Sequence, residues 1–563
     1  MRWRYLPVPG QREVEHLAKV LTVHPAIAKV LLQRGIGTFD EAKAFFRPAL
    51  DDLHDPFLMK DMDKATGRLA EALRKGEKIM VFGDYDVDGT TSVAMMTSFL
   101  KEKNVPCTAY VPDRETEGYG ISLKGIDTAV QSGCSLMIAL DCGIRAVKQA
   151  EYARRQGLDL IICDHHSPGE HLPDAVAVLD PKRPDCDYPY KDLSGCGVGF
   201  KLIQAMYHRE GKGAESLIPY LDLVAVSIAA DIVPLTGENR ILAFHGLKRL
   251  NEQPRPGLAK LIEVAGKKQL NITDVVFMIA PRINAAGRMA HARIALETLM
   301  STDEESADAP AKKLNELNTA RQQLDEQITH EALELLRRES TPDDYTSVVY
   351  RPDWHKGVIG IVASRLIETY YRPTVVFTRK GDFLTGSARS VRGFDLYAAL
   401  RRCDAHIEQW GGHKYAAGLT IKPGNLQAFK EAFEEAVRES ISPELRLPEI
   451  RITGEVDIRE IDDKFYRVIE QMAPFGPGNM RPVFSASGLR DNGNGKAVGN
   501  NNAHLKMHII TGTGYSTFQA IGFNLGHLEP LIRKPFRIAF TVNLNVWRDV
   551  SSLQLNVKDI KPD

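Results

Sequence analysis

Aspartates alternate at positions 84, 86 and 88, and Gly89 follows them. Oxygen donors at this spacing suit a hard divalent cation, and the run matches the opening of an EF-hand loop, Asp-x-Asp-x-Asp-Gly. The match stops there. The twelfth loop position calls for a bidentate Glu but holds Met95, and Asp84 is preceded by the apolar run Ile79-Met80-Val81-Phe82 instead of a helix. Calcium sensing is rejected. Two further runs end in the same way: Leu136-Met137-Ile138-Ala139-Leu140 stops at Asp141, and Leu160-Ile161-Ile162-Cys163 stops at Asp164-His165-His166. One acidic turn alone is explained by helix capping, with Asp88 placed to cap a helix starting near Thr90. Three such clusters facing one crevice are not, because their carboxylates raise one another's pKa unless a cation neutralises them.

Carboxylates with one or two imidazoles and no converging thiolate suit Mg²⁺ or Mn²⁺ better than structural zinc, and the histidines favour manganese slightly. Two such ions about 3.5–4 Å apart stabilise both the attacking and the leaving oxygen of an in-line displacement, so hydrolysis of a phosphate ester is the reaction this donor set serves best. The elements have to bring the clusters together. From about residue 45 to 235, short apolar runs alternate with helical patterns, which reads as βαβ units feeding a mainly parallel sheet. Such a sheet takes its ligands in the crevice outside the carboxyl ends of its strands, so three strand ends far apart in sequence meet at one place.

A chain of 563 residues exceeds what one core organises. We expect an N-terminal segment (1–45) packing on the core, a catalytic α/β domain (46–303) and a connecting helix (304–342) that Thr341-Pro342-Asp343 breaks. A second α/β domain (343–442) follows, with strands at Val348-Val349-Tyr350 and Val375-Val376-Phe377. After the prolines at 443 and 448, residues 448–563 read as short strands with Gly and Asn turns, a small β-barrel. The formal net charge of −1 excludes a protein that coats nucleic acid by bulk positive potential, so a phosphate partner is held by local basic patches. Seven scattered cysteines without a CxxC pair favour neither a disulfide framework nor a zinc knuckle, and a reducing cytoplasm is expected. The first residues lack the apolar core of a signal peptide, and the longest apolar stretch carries Asp222, so neither export nor a membrane span is expected.

Gly83-Asp84-Tyr85-Asp86-Val87-Asp88-Gly89, Asp141-Cys142-Gly143, Asp164-His165-His166 and Ala230-Asp231-Ile232-Val233-Pro234 resemble, in order, the four motifs of the DHH phosphoesterase superfamily. The resemblance implies that Asp86 and Asp88 bind metal, Asp141 bridges two ions, and His165 and Asp231 complete the second ion's shell. Asp84 and His166 take part nearby, His166 by contacting the scissile phosphate or protonating a leaving oxygen. Without it, Asp231 would read as a polar residue ending an apolar helix. Pro281-Arg282-Ile283-Asn284-Ala285-Ala286-Gly287-Arg288, Gly386-Ser387-Ala388-Arg389-Ser390, the segment from Gly411 to Gly418 around His413, and Pro474-Phe475-Gly476-Pro477-Gly478-Asn479 extend it to the RecJ branch. That branch combines the DHH domain, a DHHA1 domain and an oligonucleotide-binding barrel.

By residue type, Arg282, Arg288 and Arg293 with His291 form a phosphate cradle or a solvated turn, two readings the sequence leaves open. Ser387 and Arg389 supply donors suited to a 5′-terminal phosphate, and the resemblance adds Arg114 and one or both of Arg282 and Arg288. Tyr119 stacks on a base or is a core tyrosine. Glycines beside His413 allow backbone amides to approach a phosphate. Arg533, Lys534, Arg537 and Arg548 interleave with Phe536, Phe540 and Trp547, and the phenylalanines are assigned to barrel core. The resemblance implies a 5′→3′ exonuclease of single-stranded DNA acting in recombination and repair, a monomer working with a RecQ-type helicase and a single-strand-binding protein. The rivals are a DHH-type pyrophosphatase, oligoribonuclease or cyclic-dinucleotide phosphodiesterase, which need no extended strand-binding track, and a non-catalytic DNA-binding scaffold, which would have lost metal ligands that are all present here.

Overall fold

The computed structural model describes the chain apart from residues 512–516 and 548–549 and the side chains of Thr517 and Trp547. It divides into two compact units, one holding residues 3–287, 292–312 and 450–563, the other residues 1–2, 288–291 and 313–449.

The larger unit begins with helices α1 (Gln11–Leu21) and α2 (Pro25–Leu32). A five-stranded sheet follows, built from β1 (Ile79–Gly83), β2 (Cys107–Tyr110), β3 (Leu136–Leu140), β4 (Asp159–Cys163) and β5 (Ala177–Leu179). All neighbours pair in parallel, in the order β2-β1-β3-β4-β5. β1 and β3 are buried at every residue, which is why they read as unbroken apolar runs instead of alternating ones. The strand order reverses between β1 and β3, and at such a switch point the loops after the two strands diverge and leave a crevice.

Four helices of this unit matter for the site: α3 (Val87–Glu102), α4 (Gly195–Arg209), α5 (Leu221–Asp231) and α6 (Gly237–Glu252). α3 is buried along most of its length although its first turns are Thr90, Thr91 and Ser92. Their hydroxyls donate to carbonyls one turn back, those of Asp86 (2.6 Å), Val87 (2.7 Å) and Asp88 (2.7 Å), and so enter the core satisfied. α4 is clamped to α6 by a buried ion pair, Lys201 Nζ to Glu238 Oε1 at 2.9 Å, completed by the Tyr188 hydroxyl on Glu238 Oε2 (2.6 Å) and by Lys201 donating to the His54 carbonyl (2.8 Å). After α7 (Ala280–Met289) comes the 36-residue α8 (Glu304–Glu339), which ends just before Thr341-Pro342.

The smaller unit carries a mixed sheet of β6 (Ser347–Tyr350), β7 (Thr374–Lys380), β8 (Phe383–Arg389), β9 (Gln409–Gly412) and β10 (Ala416–Ile421), ordered β9-β10-β8-β7-β6. Only β6 and β7 run parallel. Helices α9 (Ile359–Tyr370), α10 (Leu396–Arg402) and α11 (Leu426–Ser440) belong to it, and Phe429 and Phe433 of α11 join Phe377, Leu396 and Leu419 in one core.

The chain then returns to the larger unit through β11 (Gly454–Glu455), α12 (Asp463–Gln471), β12 (Phe484–Asp491), β13 (Lys496–Val498), β14 (His504–Thr511), β15 (Thr517–Gly522), β16 (Phe536–Trp547) and β17 (Val550–Pro562). Pairing runs β12-β16-β17-β15-β14, and β14 pairs back to β12, so the sheet closes on itself as a barrel. Phe536 and Phe540 are fully buried in it, as expected. Of the basic and aromatic run at its end, Arg548 and the Trp547 side chain lie outside the described residues. The N-terminal helices pack against this barrel: Val14, Leu17, Ile27 and Leu31 share one hydrophobic cluster with Phe484, Met507 and Leu555. Among the described residues no helix is long and apolar enough to cross a membrane.

Lys201→Met strands the Glu238 carboxylate in the core. We expect a loss of about 3–5 kcal/mol and a clear fall in melting temperature by calorimetry, largely recovered when Glu238→Leu is added.

Candidate metal centre

β1, β3 and β4 end side by side, and their first residues beyond the sheet are Asp84, Asp141 and Asp164-His165-His166. α5 delivers Asp231 as its last residue. The helix stops there because Ile232 turns into the left-handed region (φ 59°), a costly conformation for a β-branched side chain and one that clusters at functional sites. Asp141 is also left-handed (φ 58°). The N-terminus of α4 lies directly against it, since a Cβ on Gly195 would fall 2.5 Å from the Asp141 Cβ.

His165 is the hub. Its Nε2 lies 3.2 Å from Asp141 Oδ1, 3.7 Å from Asp231 Oδ2 and 3.8 Å from Asp88 Oδ2. Ligand atoms of Asp88, His165 and Asp231 all fall within 4.8 Å of one another, and so do those of Asp141, His165 and His166. On the far side of the ring, Nδ1 is 3.0 Å from the Leu193 carbonyl. A carbonyl can only accept, so Nδ1 carries the hydrogen and Nε2 points its lone pair at the carboxylates, the arrangement of a metal-ligating histidine. Burial lowers the His165 pKa, which keeps the ring neutral and able to ligate.

Asp88 is held from behind. Gly195 N–H donates to its Oδ2 (2.7 Å), and Cys196 N–H (2.8 Å) and the Ser227 hydroxyl (2.7 Å) donate to its Oδ1. The positive end of α4 is thus aimed at a carboxylate. Asp86 caps α3 by accepting Gly89 N–H at 3.0 Å. The cap is therefore Asp86 and not Asp88, and the helix starts at Val87, three residues before Thr90. Asp164 turns away from the cluster and accepts the Ile144, His165 and His166 amides and His166 Nδ1 (2.8 Å). Burial opposes its ionisation, but these donors and the neighbouring imidazolium hold it down at about 2. Burial also opposes a charge on His166, and the Asp164 bond outweighs it, so that pKa is raised.

The other carboxylates move the opposite way. Burial first, then repulsion, raises Asp141 (against Asp88, Asp86 and Asp231), Asp84 (against Asp86) and Asp86 (against Asp88), and pushes Asp231 up to about 8. Asp84 Oδ2, Asp141 Oδ1 and His165 Nε2 are buried without a hydrogen-bond partner. Buried polar atoms are normally satisfied, so this group costs several kcal/mol unless a cation completes it. Carboxylate oxygens with an imidazole, and no thiolate among them, fit Mg²⁺ or Mn²⁺.

Tyr119 is neither core nor a bare stacking face. It is 55% exposed, and its hydroxyl lies 3.2 Å from the Asp141 carbonyl and 3.2 Å from His166 Nε2. Arg282 sits on α7 and donates to the Met278 carbonyl (2.6 Å). Arg114 and Arg293 also belong to the larger unit, whereas Arg288, Ser387, Arg389 and His413 belong to the smaller one. There Arg389 donates to the Ser387 hydroxyl (3.0 Å) on β8, and a Cβ on Gly360, at the start of α9, would fall within 2.9 Å of both side chains. Arg288 donates to the Gly357 carbonyl (3.1 Å), and His413 is exposed in the turn between β9 and β10. Sequence reasoning passed over Asp180. It follows β5, is fully buried with Oδ2 unsatisfied, and burial with repulsion from Asp164 pushes it up to about 7. Its signal was the same apolar run ending in an acid, here only three strand residues long.

Residues 78–228 match the DHH family, N-terminal domain, residues 344–439 the DHHA1 domain, and residues 452–559 the RecJ OB domain. The chain is 36% identical to a Bacillus subtilis protein named single-stranded-DNA-specific exonuclease RecJ, over 99% of this chain and 70% of that protein. It is 31% identical to the Escherichia coli protein of the same name over 98% of both. The chain belongs to the RecJ family. Among solved structures, that of Thermus thermophilus RecJ in complex with Mn²⁺ superposes with a TM-score of 0.85 at 28% identity, covering 100% of this chain and 80% of that one. The strand-tip carboxylates and His165 lie within the matched DHH domain, positioned so that they could hold a metal ion.

Asp141→Asn removes one of several mutually repelling buried charges. We expect the metal-free variant to melt several degrees above the metal-free parent, while activity with Mn²⁺ falls by more than about 100-fold. A destabilised metal-free Asp141→Asn protein would show that the cluster carries no repulsion.

Proposed function

We propose that this chain degrades single-stranded DNA in the 5′→3′ direction, releasing 5′-mononucleotides, in DNA recombination and repair. It is a metal-dependent exonuclease of single-stranded DNA, an activity carried by its full-length likeness to RecJ relatives and by its intact donor set. The observation that carries the reading is the buried cluster of unsatisfied carboxylate and imidazole atoms at the switch point. In this proposal Asp86, Asp88, Asp141, His165 and Asp231 would hold two divalent ions, Mn²⁺ or Mg²⁺, with Asp141 as a ligand shared by both, and Asp84 would add negative charge beside them. When bound, such a pair acts as a Lewis acid on the scissile phosphate.

The chain's own groups do the rest. His165 is kept in one tautomer by the Leu193 carbonyl, and Asp88 is fixed by the amides of α4. His166, oriented by Asp164 and the Tyr119 hydroxyl and biased towards its protonated form, faces the substrate side and serves as a contact or proton donor for the phosphate oxygens. On the larger unit Arg114 is proposed as a 5′-phosphate contact and Tyr119 as a base platform; on the smaller unit Ser387 and Arg389 are proposed as 5′-phosphate donors and His413 as a strand contact, with one or both of Arg282 and Arg288 as further phosphate donors. The DHH domain is taken as 46–303, the helix as 304–342, the DHHA1 domain as 343–442 and the oligonucleotide-binding barrel as 448–563, with residues 1–45 as the N-terminal segment. Seven free cysteines, six of them buried, are in keeping with work in the cytoplasm. A RecQ-type helicase and a single-strand-binding protein are proposed partners of a monomeric enzyme.

The test offers 5′- and 3′-labelled single strands, duplex DNA, RNA and cyclic dinucleotides with Mn²⁺, Mg²⁺ or chelator. We expect the 5′ label to leave first as a mononucleotide, duplex to resist, and chelator to abolish the reaction. Rapid hydrolysis of cyclic dinucleotides with inert long single strands would overturn the substrate. In a second arm, Arg389→Ala raises KM for 5′-phosphorylated DNA by about tenfold, the cost of one lost charge-assisted hydrogen bond, and leaves Mn²⁺ affinity unchanged.

A further inference from the structure

A continuous run of rings joins Arg114 to the metal centre. The Arg114 guanidinium carbon lies 5.4 Å from the centroid of Tyr85. Tyr85 meets Tyr119 edge-on, with centroids 6.4 Å apart and planes at 86°. Tyr119 meets His166 edge-on at 5.8 Å and 80°, and His166 stands 4.5 Å from His165.

Both tyrosines are confined. The Tyr119 hydroxyl is pinned between the Asp141 carbonyl and His166. Tyr85 directly follows Asp84 at the tip of β1, and α7 presses on it from behind: a Cβ on Gly287 would fall 2.9 Å from the Tyr85 carbonyl oxygen and 3.7 Å from its ring. Arg114 has no carboxylate partner among the described residues. Its contact with the Tyr85 face orients the guanidinium by cation–π attraction while leaving its N–H donors available to an anion. A carboxylate in that place would orient the cation equally well but would occupy the same donors.

We propose that Tyr85 is a positioning residue that sets the cutting register, one nucleotide inward from the anchored 5′ phosphate. This rests on the reading above that Arg114 holds that phosphate. An arginine on a flexible stem reaches over a volume that takes in more than one internucleotide step. The ring at 5.4 Å restricts it to one place relative to His166, and so to one distance between the held end and the bond that is cut. Tyr85 acts on Arg114 through its ring.

The experiment resolves the products of 5′-labelled single-stranded oligonucleotide with Mn²⁺ on a sequencing gel, for the parent, Tyr85→Phe, Tyr85→Leu and Arg114→Lys. The parent and Tyr85→Phe release the label as mononucleotide. In Tyr85→Leu and Arg114→Lys, labelled di- and trinucleotides rise about fivefold, the scale of one lost cation–π contact. A lowered rate with mononucleotide as the only labelled product, in either variant, overturns the inference, because a purely structural loss slows cutting without moving it. If Tyr85→Leu does not fold, judged by its Mn²⁺-dependent thermal shift, Arg114→Lys decides alone. A parent that releases no 5′ mononucleotide instead sinks the 5′-end reading, and the register proposal with it.

Discussion

Carboxylates that share a buried crevice repel one another, and in this chain the crevice sits where the parallel sheet reverses its strand order. Asp84, Asp86, Asp141 and Asp231 are all driven above their ordinary pKa by burial and by one another, and His165 is held neutral among them. Backbone donors and His166 oppose the rise at Asp84 and Asp86, and His166 and Lys182 oppose it at Asp231, without outweighing it. Asp84 Oδ2, Asp141 Oδ1 and His165 Nε2 are buried without hydrogen-bond partners. The site is intelligible as an incomplete coordination sphere, assembled at a cost that stability elsewhere in the unit has to cover.

Much of the surrounding fold serves to hold that sphere open. The α4 amides fix one carboxylate from behind, the Leu193 carbonyl fixes the imidazole tautomer, and Asp164 draws the paired histidine aside. Asp141 and Ile232 take left-handed backbone, which aims Asp141 inward and ends α5 on Asp231. These features lie in loops and helix ends anchored to a fully buried sheet, so the rigid part of the structure sets the positions and the turns set the directions. The ring contacts from His166 through Tyr119 and Tyr85 to Arg114 extend the same principle outward, orienting a cation without a carboxylate.

The strand-tip acids and imidazoles were legible because two local signals coincide at each of them: an unbroken apolar run marks a strand buried on both faces, and the acid or imidazole that ends it has nowhere to go but the crevice. Asp231 was not legible in this way. α5 is buried along nearly its whole length, so no face is marked, and only the motif match singled out its last residue. Capping was misread by one step, Asp86 for Asp88, because either acid at that spacing can serve. Asp180 escaped because a three-residue strand carries too short a run. The docking of α1 and α2 on a barrel that follows them only after two α/β domains has no local trace at all, since it depends on shape complementarity between distant segments. Tyr119 was half legible: its exposure agrees with a stacking role, but the reach of its hydroxyl to Asp141 and His166 depends on a loop conformation that composition does not encode.

We propose that Asp141 is required for this cluster to hold two divalent ions together. Electron paramagnetic resonance of the purified protein titrated with Mn²⁺ tests it most directly. The account predicts a spin-coupled pair signal in the parent that Asp141→Asn converts to the spectrum of isolated Mn²⁺. An isolated-ion spectrum in the parent at saturation, or a coupled pair that survives the substitution, would contradict it.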